Sequence, residues 1–138
     1  MADMRIARWA LAALFVVAGV AHLVNPLPFV AHLPPAVPLR EALVAATGWL
    51  EIVLGLLLLG PRRHRRTVGY VVAAYLVAVF PANVYVAVTD VDVDGLPPDP
   101  YPWLRLPLQV VLVAWALWCT APRGQDERRR TAPAEGAG

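Results

Sequence analysis

The chain has 138 residues, 59% of them hydrophobic and 16% charged, with a formal net charge of +2. Soluble domains average about 25% charged residues, so this composition, with a mean hydropathy of +0.56, points to lipid as the main solvent. The 12 basic residues are all arginine and sit in short clusters between hydrophobic runs, a topology signal rather than a nucleic-acid face. The single cysteine, Cys119, excludes an intramolecular disulfide or a CxxC dithiol within the chain.

The first predicted helix covers residues 6–24, with Arg5 and Arg8 at its start. Its Gly19-Val20-Ala21 also fits the cleavage site of a signal peptide, but three further hydrophobic runs continue its alternation of loop charge and favour a retained helix. Prolines at positions 26, 28, 34, 35 and 38 then forbid a continuous helix between Asn25 and Pro38. Because Phe29, Val30 and Leu33 are apolar, this stretch is expected to lie on the membrane surface or fold back over the mouth of the bundle.

The second helix is predicted over 41–59 and ends at Gly60-Pro61, followed by the basic turn Arg62, Arg63, His64, Arg65 and Arg66. The third is predicted over 67–89. Asp90, Asp92, Asp94 and Asp99 follow in a proline-rich loop that lacks the remaining ligand pattern of a calcium site. The fourth is predicted over 102–120, with two readings of its start. Either Pro102 is the first helical residue and Pro107 kinks the helix, or the regular helix begins near Pro107 after an extended entry. Tyr101 and Trp103 would anchor that end at the interface. Residues 122–138, rich in Arg, Ala and Gly, read as a disordered tail.

Each hydrophobic run approaches the roughly 20 residues that cross about 30 Å of hydrocarbon. With both termini cytoplasmic, the inside holds Arg5, Arg8, Arg62, Arg63, Arg65, Arg66, Arg123, Arg128, Arg129 and Arg130, and the outside only Arg40 and Arg105. The expected fold is therefore all-α: an integral membrane four-helix bundle in the cell membrane, with N and C termini cytoplasmic. Residues 1–121 would form the transmembrane domain and residues 122–138 the cytoplasmic tail.

Five residues in these runs are of kinds that lipid penalises: His22, Glu51, Asn83, Arg105 and Gln109. A charged side chain at membrane depth costs about 2.5–3.5 kcal/mol on insertion scales, so such residues usually face a bundle interior and mark a site. In the expected topology His22 and Arg105 lie near the outer ends of their helices. Glu51 lies about 15 Å in from Glu41, and Asn83 about 9 Å from Thr89. All five fall between the outer surface and the bilayer middle.

Gly48, Glu51 and Gly55 share one helical face, as do Ala18, Gly19 and His22, and small residues allow close helix approach. Arg105 and Gln109 are i, i+4 neighbours. Pro81 frees a carbonyl near Val77 for a side chain or a water. Each residue also has a structural reading: an ion pair of Glu51 with Arg105, snorkelling of His22, interhelical bonding by Asn83, headgroup contact by Arg105. No Cys/His spacing resembles a zinc or haem site, and His22, His32 and His64 stand in three different sequence contexts.

The ordered set Ala18-Gly19-Val20-Ala21-His22, Asn25-Pro26, Thr47-Gly48-Trp49-Leu50-Glu51, Phe80-Pro81-Ala82-Asn83 and Arg105-Leu106-Pro107-Leu108-Gln109 resembles the DoxX-like family. The resemblance covers about Trp9 to Trp118. It implies a small four-helix integral membrane protein, with relatives associated with quinone-linked sulfur oxidation or with redox-partner complexes. It also implies that His22, Glu51, Asn83, Arg105 and Gln109 match the family's polar pattern. Without paired cysteines, a binding or accessory role is favoured over stand-alone oxidoreductase chemistry.

The leading expectation is an outer-leaflet polar pocket for a quinone, lipid or other small molecule. In it Arg105 balances Glu51, while His22, Asn83 and Gln109 supply hydrogen bonds. The bound group itself is unspecified, with quinone as the candidate. The alternative is an accessory or assembly subunit whose polar cluster serves packing against a protein partner or a second copy. A proton-coupled transporter, resting on Glu51 alone, is a third reading. The bilayer is the expected partner in every case, and nucleic acid in none.

Overall fold

A computed structural model of the chain describes residues 2–89 and 101–121. These residues fold as α1 (Ala2–Val24), a single turn α2 (Leu27–Val30), α3 (Arg40–Leu58), a 3-10 turn (Arg62–His64), α4 (Arg65–Thr89) and α5 (Tyr101–Thr120). Four of the helices, α1, α3, α4 and α5, are long and apolar enough to cross a membrane. The expected acidic loop at 90–99 and tail at 122–138 lie outside the described residues.

Helix boundaries follow local chemistry. Pro26 disfavours helical geometry at Asn25, and α1 stops at Val24. Pro26 and Pro28 then suit the start of α2, where a missing amide hydrogen costs nothing. Leu39 turns the chain into α3 through a left-handed conformation (φ 54°) that L-residues with a side chain rarely adopt. Gly60-Pro61 ends α3. The first helix starts at Ala2, earlier than its apolar run, so Arg5 and Arg8 are helical and Arg8 is buried. Of the two starts open for the last helix, the structure takes the earlier one: α5 is helical from Tyr101 and runs through Pro107, as α4 runs through Pro81.

The long helices alternate in direction and form two hairpin-like pairs, α1 with α3 and α4 with α5. Glycine sets the first pairing. A Cβ added at Gly48 would lie 2.8 Å from the Cβ of His22, and one at Gly55 would lie 2.8 Å from the Ala12 carbonyl oxygen. The stripe of small residues read from the sequence is thus the seam between α1 and α3.

The two pairs meet in an apolar core of Leu11, Ala12 and Phe15 from α1, Leu54 and Leu58 from α3, Val68, Val72 and Leu76 from α4, and Ala116 and Cys119 from α5. This core fills the half of the bundle near the α3–α4 turn. Large apolar side chains such as Trp9, Trp49, Val77 and Val110 stay exposed around the outside, the inside-out distribution that suits lipid. The opposite half, at residues 25–39 and beneath them, holds buried Glu51, His32 and Gln109, while Arg8 and Thr120 are buried polar side chains of the apolar half.

Candidate functional site

Glu51 is the centre of the polar half. It sits three residues after Gly48, on the α3 face that α1 covers, and only 9% of its surface is exposed. The Tyr75 hydroxyl of α4 donates to its Oε1 at 2.7 Å, and His22 Nδ1 of α1 lies 3.2 Å from its Oε2. Three helices therefore contribute to one carboxylate.

His22 is held in place by its own helix. Nδ1 lies 2.8 Å from the Ala18 carbonyl oxygen, and since this oxygen and Glu51 Oε2 can only accept, Nδ1 carries the hydrogen. In the neutral ring Nε2 is then an acceptor. Tyr75 is fixed by an edge-to-face contact with Phe15, ring centroids 6.1 Å apart, which aims its hydroxyl past the apolar core toward Glu51.

A second polar contact joins α4 to α5. Asn83 Nδ2 donates to Gln109 Oε1 at 2.5 Å, and Gln109 Nε2 donates to the Leu76 carbonyl oxygen. The carbonyl that Pro81 frees is that of Val77, whereas Gln109 takes the neighbouring Leu76 carbonyl, so the expected side-chain partner at Val77 is not what this bond supplies. Gln109 is buried and both ends of its amide are used. Pro81 removes a ladder bond in α4, and Gln109 ties the weakened turn to the neighbouring helix.

The third contact closes the mouth. Of the two placements open for residues 25–39, the structure takes the fold-back. Phe29 stacks on His22 with ring centroids 3.8 Å apart and an interplanar angle of 25°, and His32 lies 6.1 Å beyond Phe29. His32 Nδ1–H donates to the Pro28 carbonyl oxygen at 2.6 Å, and Arg105 donates to His32 Nε2. Both ring nitrogens are thereby assigned, and the ring is neutral. Burial pushes the His32 pKa below the ordinary histidine value, against the upward pull of the Pro28 bond, and Arg105 lowers it further.

The five residues singled out in the sequence thus fall into three contacts: His22 with Glu51, Asn83 with Gln109, and Arg105 with His32. Three participants were not singled out. Tyr75 lies in an apolar run where a tyrosine reads as packing. Phe29 was read only as an apolar loop residue, and His32 stands in another sequence context from His22, although one phenyl ring separates them in space. The stacking of Phe29 between two histidines three and seven residues away is the local signal that proline punctuation obscured.

The far end of the bundle is built differently. Arg62, Arg63 and His64 are exposed, with Arg63 Nε donating to His64 Nε2 at 2.7 Å. Arg66 donates to the Tyr70 hydroxyl at 3.1 Å and lies over its ring. This is a solvated cationic surface of the kind that sits against headgroups. Among the described residues, no group of three or more His, Cys, Asp or Glu side chains is placed to hold a metal.

No curated protein and no solved structure matches the chain. A family model matches residues 11–120, which take in all three polar contacts. The chain belongs to the family described as Domain of unknown function (DUF8561).

Proposed function

We propose that this chain is a multi-pass cell-membrane protein, DoxX-like in kind, whose polar half receives the head of a quinone or similar small amphiphile in support of membrane redox metabolism. The observation that carries this reading is the chain Tyr75–Glu51–His22, in which one buried carboxylate is held between a hydroxyl from α4 and an imidazole from α1. A quinone head exchanges carbonyl for hydroxyl as it changes state, so its site needs neighbours that both donate and accept. With its hydrogen given to Glu51, the Tyr75 oxygen is left as an acceptor, His22 Nε2 accepts when the ring is neutral and donates when it is protonated, and Phe29 and Phe15 supply apolar walls. A lipid headgroup bearing a hydroxyl would meet the same groups.

The arginines give the orientation. Those of α1 and of the 62–66 turn share one end of the bundle, and Arg40 and Arg105 share the other. The positive-inside rule then turns the polar half outward and leaves both termini in the cytoplasm.

Titration of decylubiquinone into the protein in lipid nanodiscs, followed by tryptophan quenching, tests the reading. Glu51→Gln and Arg105→Gln, made separately, are each expected to weaken binding by at least about tenfold, or about 1.4 kcal/mol. Normal expression with unchanged binding in both variants would remove the pocket from the account. A defined protein retained through native purification, with binding insensitive to both substitutions, would favour an accessory subunit instead.

A further inference from the structure

His32 is the only titratable side chain in residues 25–39. It is 7% exposed, although it belongs to a connection with five prolines rather than to a long helix. Its two nitrogens are both committed: Nδ1–H to the Pro28 carbonyl within the segment, and Nε2 as acceptor from Arg105 on α5. A proton on Nε2 would turn one donor against another and set an imidazolium beside a guanidinium. The tie between the segment and α5 therefore exists only while His32 is neutral.

The same segment covers the site. Phe29 stands three residues before His32, and the His32 amide donates to its carbonyl oxygen at 3.1 Å. Its ring lies on His22, the imidazole that faces Glu51. Whatever frees His32 from Arg105 loosens the turn that holds Phe29 down.

We propose that residues 25–39 form a pH-released strap. With His32 neutral, the Arg105 bond keeps Phe29 closed over His22, and protonation of His32 undoes the tie and uncovers the His22–Glu51 pair. This names the regulation of the site assigned above and rests on that reading for its purpose, while release of the strap is a property of the fold alone.

The groups that face His32 support the direction. Arg105 comes from α5 and His22 from α1, beyond Phe29, and both oppose a positive charge at His32. Glu51 of α3 stands behind His22 and is itself engaged by His22 and by Tyr75 of α4. Burial, the largest influence, acts in the same sense.

The closed form thus binds the proton more weakly than the open form does. Closure is fully favoured above about pH 6.5, the ordinary histidine value, and is lost as pH falls through that value toward the depressed one. Within this window each pH unit shifts the opening equilibrium by up to about tenfold.

Hydrogen–deuterium exchange of the full chain in nanodiscs, compared as protection factors between about pH 7.5 and about pH 5 around the ordinary histidine value, reads the strap without any ligand. Protection of the His32 and Leu33 amides, which bond to Phe29 and Val30, is expected to fall on acidification, by up to about tenfold per pH unit, while α3 and α4 keep theirs. His32→Gln, which offers Arg105 an amide oxygen that does not titrate, is expected to hold its protection across the range, whereas His22→Gln, which removes the ring under Phe29, is expected to start from lower protection and still to lose more on acidification. Constant protection in the wild-type chain overturns the proposal, and so does a fall that persists in His32→Gln or vanishes in His22→Gln. Because no quinone enters the experiment, failure of the strap and failure of the binding site are separate results.

Discussion

A residue buried in a membrane bundle is legible in a sequence when its chemistry costs energy in lipid, and the candidate site divides along that line. Glu51 and Gln109 stand out because a carboxylate or an amide inside an apolar run demands a partner, and both are buried and bonded. Tyr75 does not stand out, since its ring is at home among valines and leucines. Only the alignment of α4 with α3 shows that its hydroxyl serves Glu51. His32 is hidden for another reason: its partner Arg105 lies 73 residues away, and nothing local announces the pairing. Gln109 shows what one such group contributes. Gln109→Leu keeps most of the volume but strips the Asn83 amide and the Leu76 carbonyl of a partner. The expected cost is about 1–2 kcal/mol, near the upper range for interhelical hydrogen bonds in membranes. Reversible unfolding in mixed micelles with increasing SDS would measure it, and a loss within error would show that Gln109 carries no packing role.

Among the elements, the seam between α1 and α3 decides whether His22 reaches Glu51 at all. Spacing alone exposed this seam: Gly48, Glu51 and Gly55 fall on one face, and Gly19 and His22 meet them from α1. Gly48→Ala would place a methyl carbon 2.8 Å from the His22 Cβ and 2.9 Å from the Gly19 carbonyl oxygen, and the second of these is backbone that cannot swing aside. Forced overpacking of this kind costs about 1–3 kcal/mol. Because the strain falls between the helices, His22 should move away from Glu51. The expected result is a lower unfolding midpoint together with a changed His22 imidazole resonance, and a variant unchanged in both would contradict the close crossing. Proline placement was largely legible, with only the start of the last helix left open between two readings. Pro26 and Pro61 sit at element boundaries as local rules require, whereas Pro81 and Pro107 are carried inside helices. Neighbouring helices make such prolines tolerable inside a membrane helix, and Gln109 ties α5 to α4 one residue from the Val77 carbonyl that Pro81 frees.

At the scale of the whole molecule, two helix pairs share an apolar core in one half and a polar centre in the other. Four helices long and apolar enough to cross a membrane were readable from run length, because bilayer thickness constrains it directly. How the pairs dock was not readable, since that depends on which faces of α3 and α4 meet. The structure joins them through Tyr75 and Glu51, a bond between residues 24 apart in sequence, and the site assigned here depends on that bond. A double-mutant cycle on Tyr75→Phe and Glu51→Leu, read by SDS unfolding of the full chain, tests it most directly. The account predicts a coupling of about 1 kcal/mol or more between the two positions, within the range for residues in direct contact. Effects that add to within about 0.3 kcal/mol would mean that Glu51 and Tyr75 do not touch, and would contradict a shared centre between the two pairs.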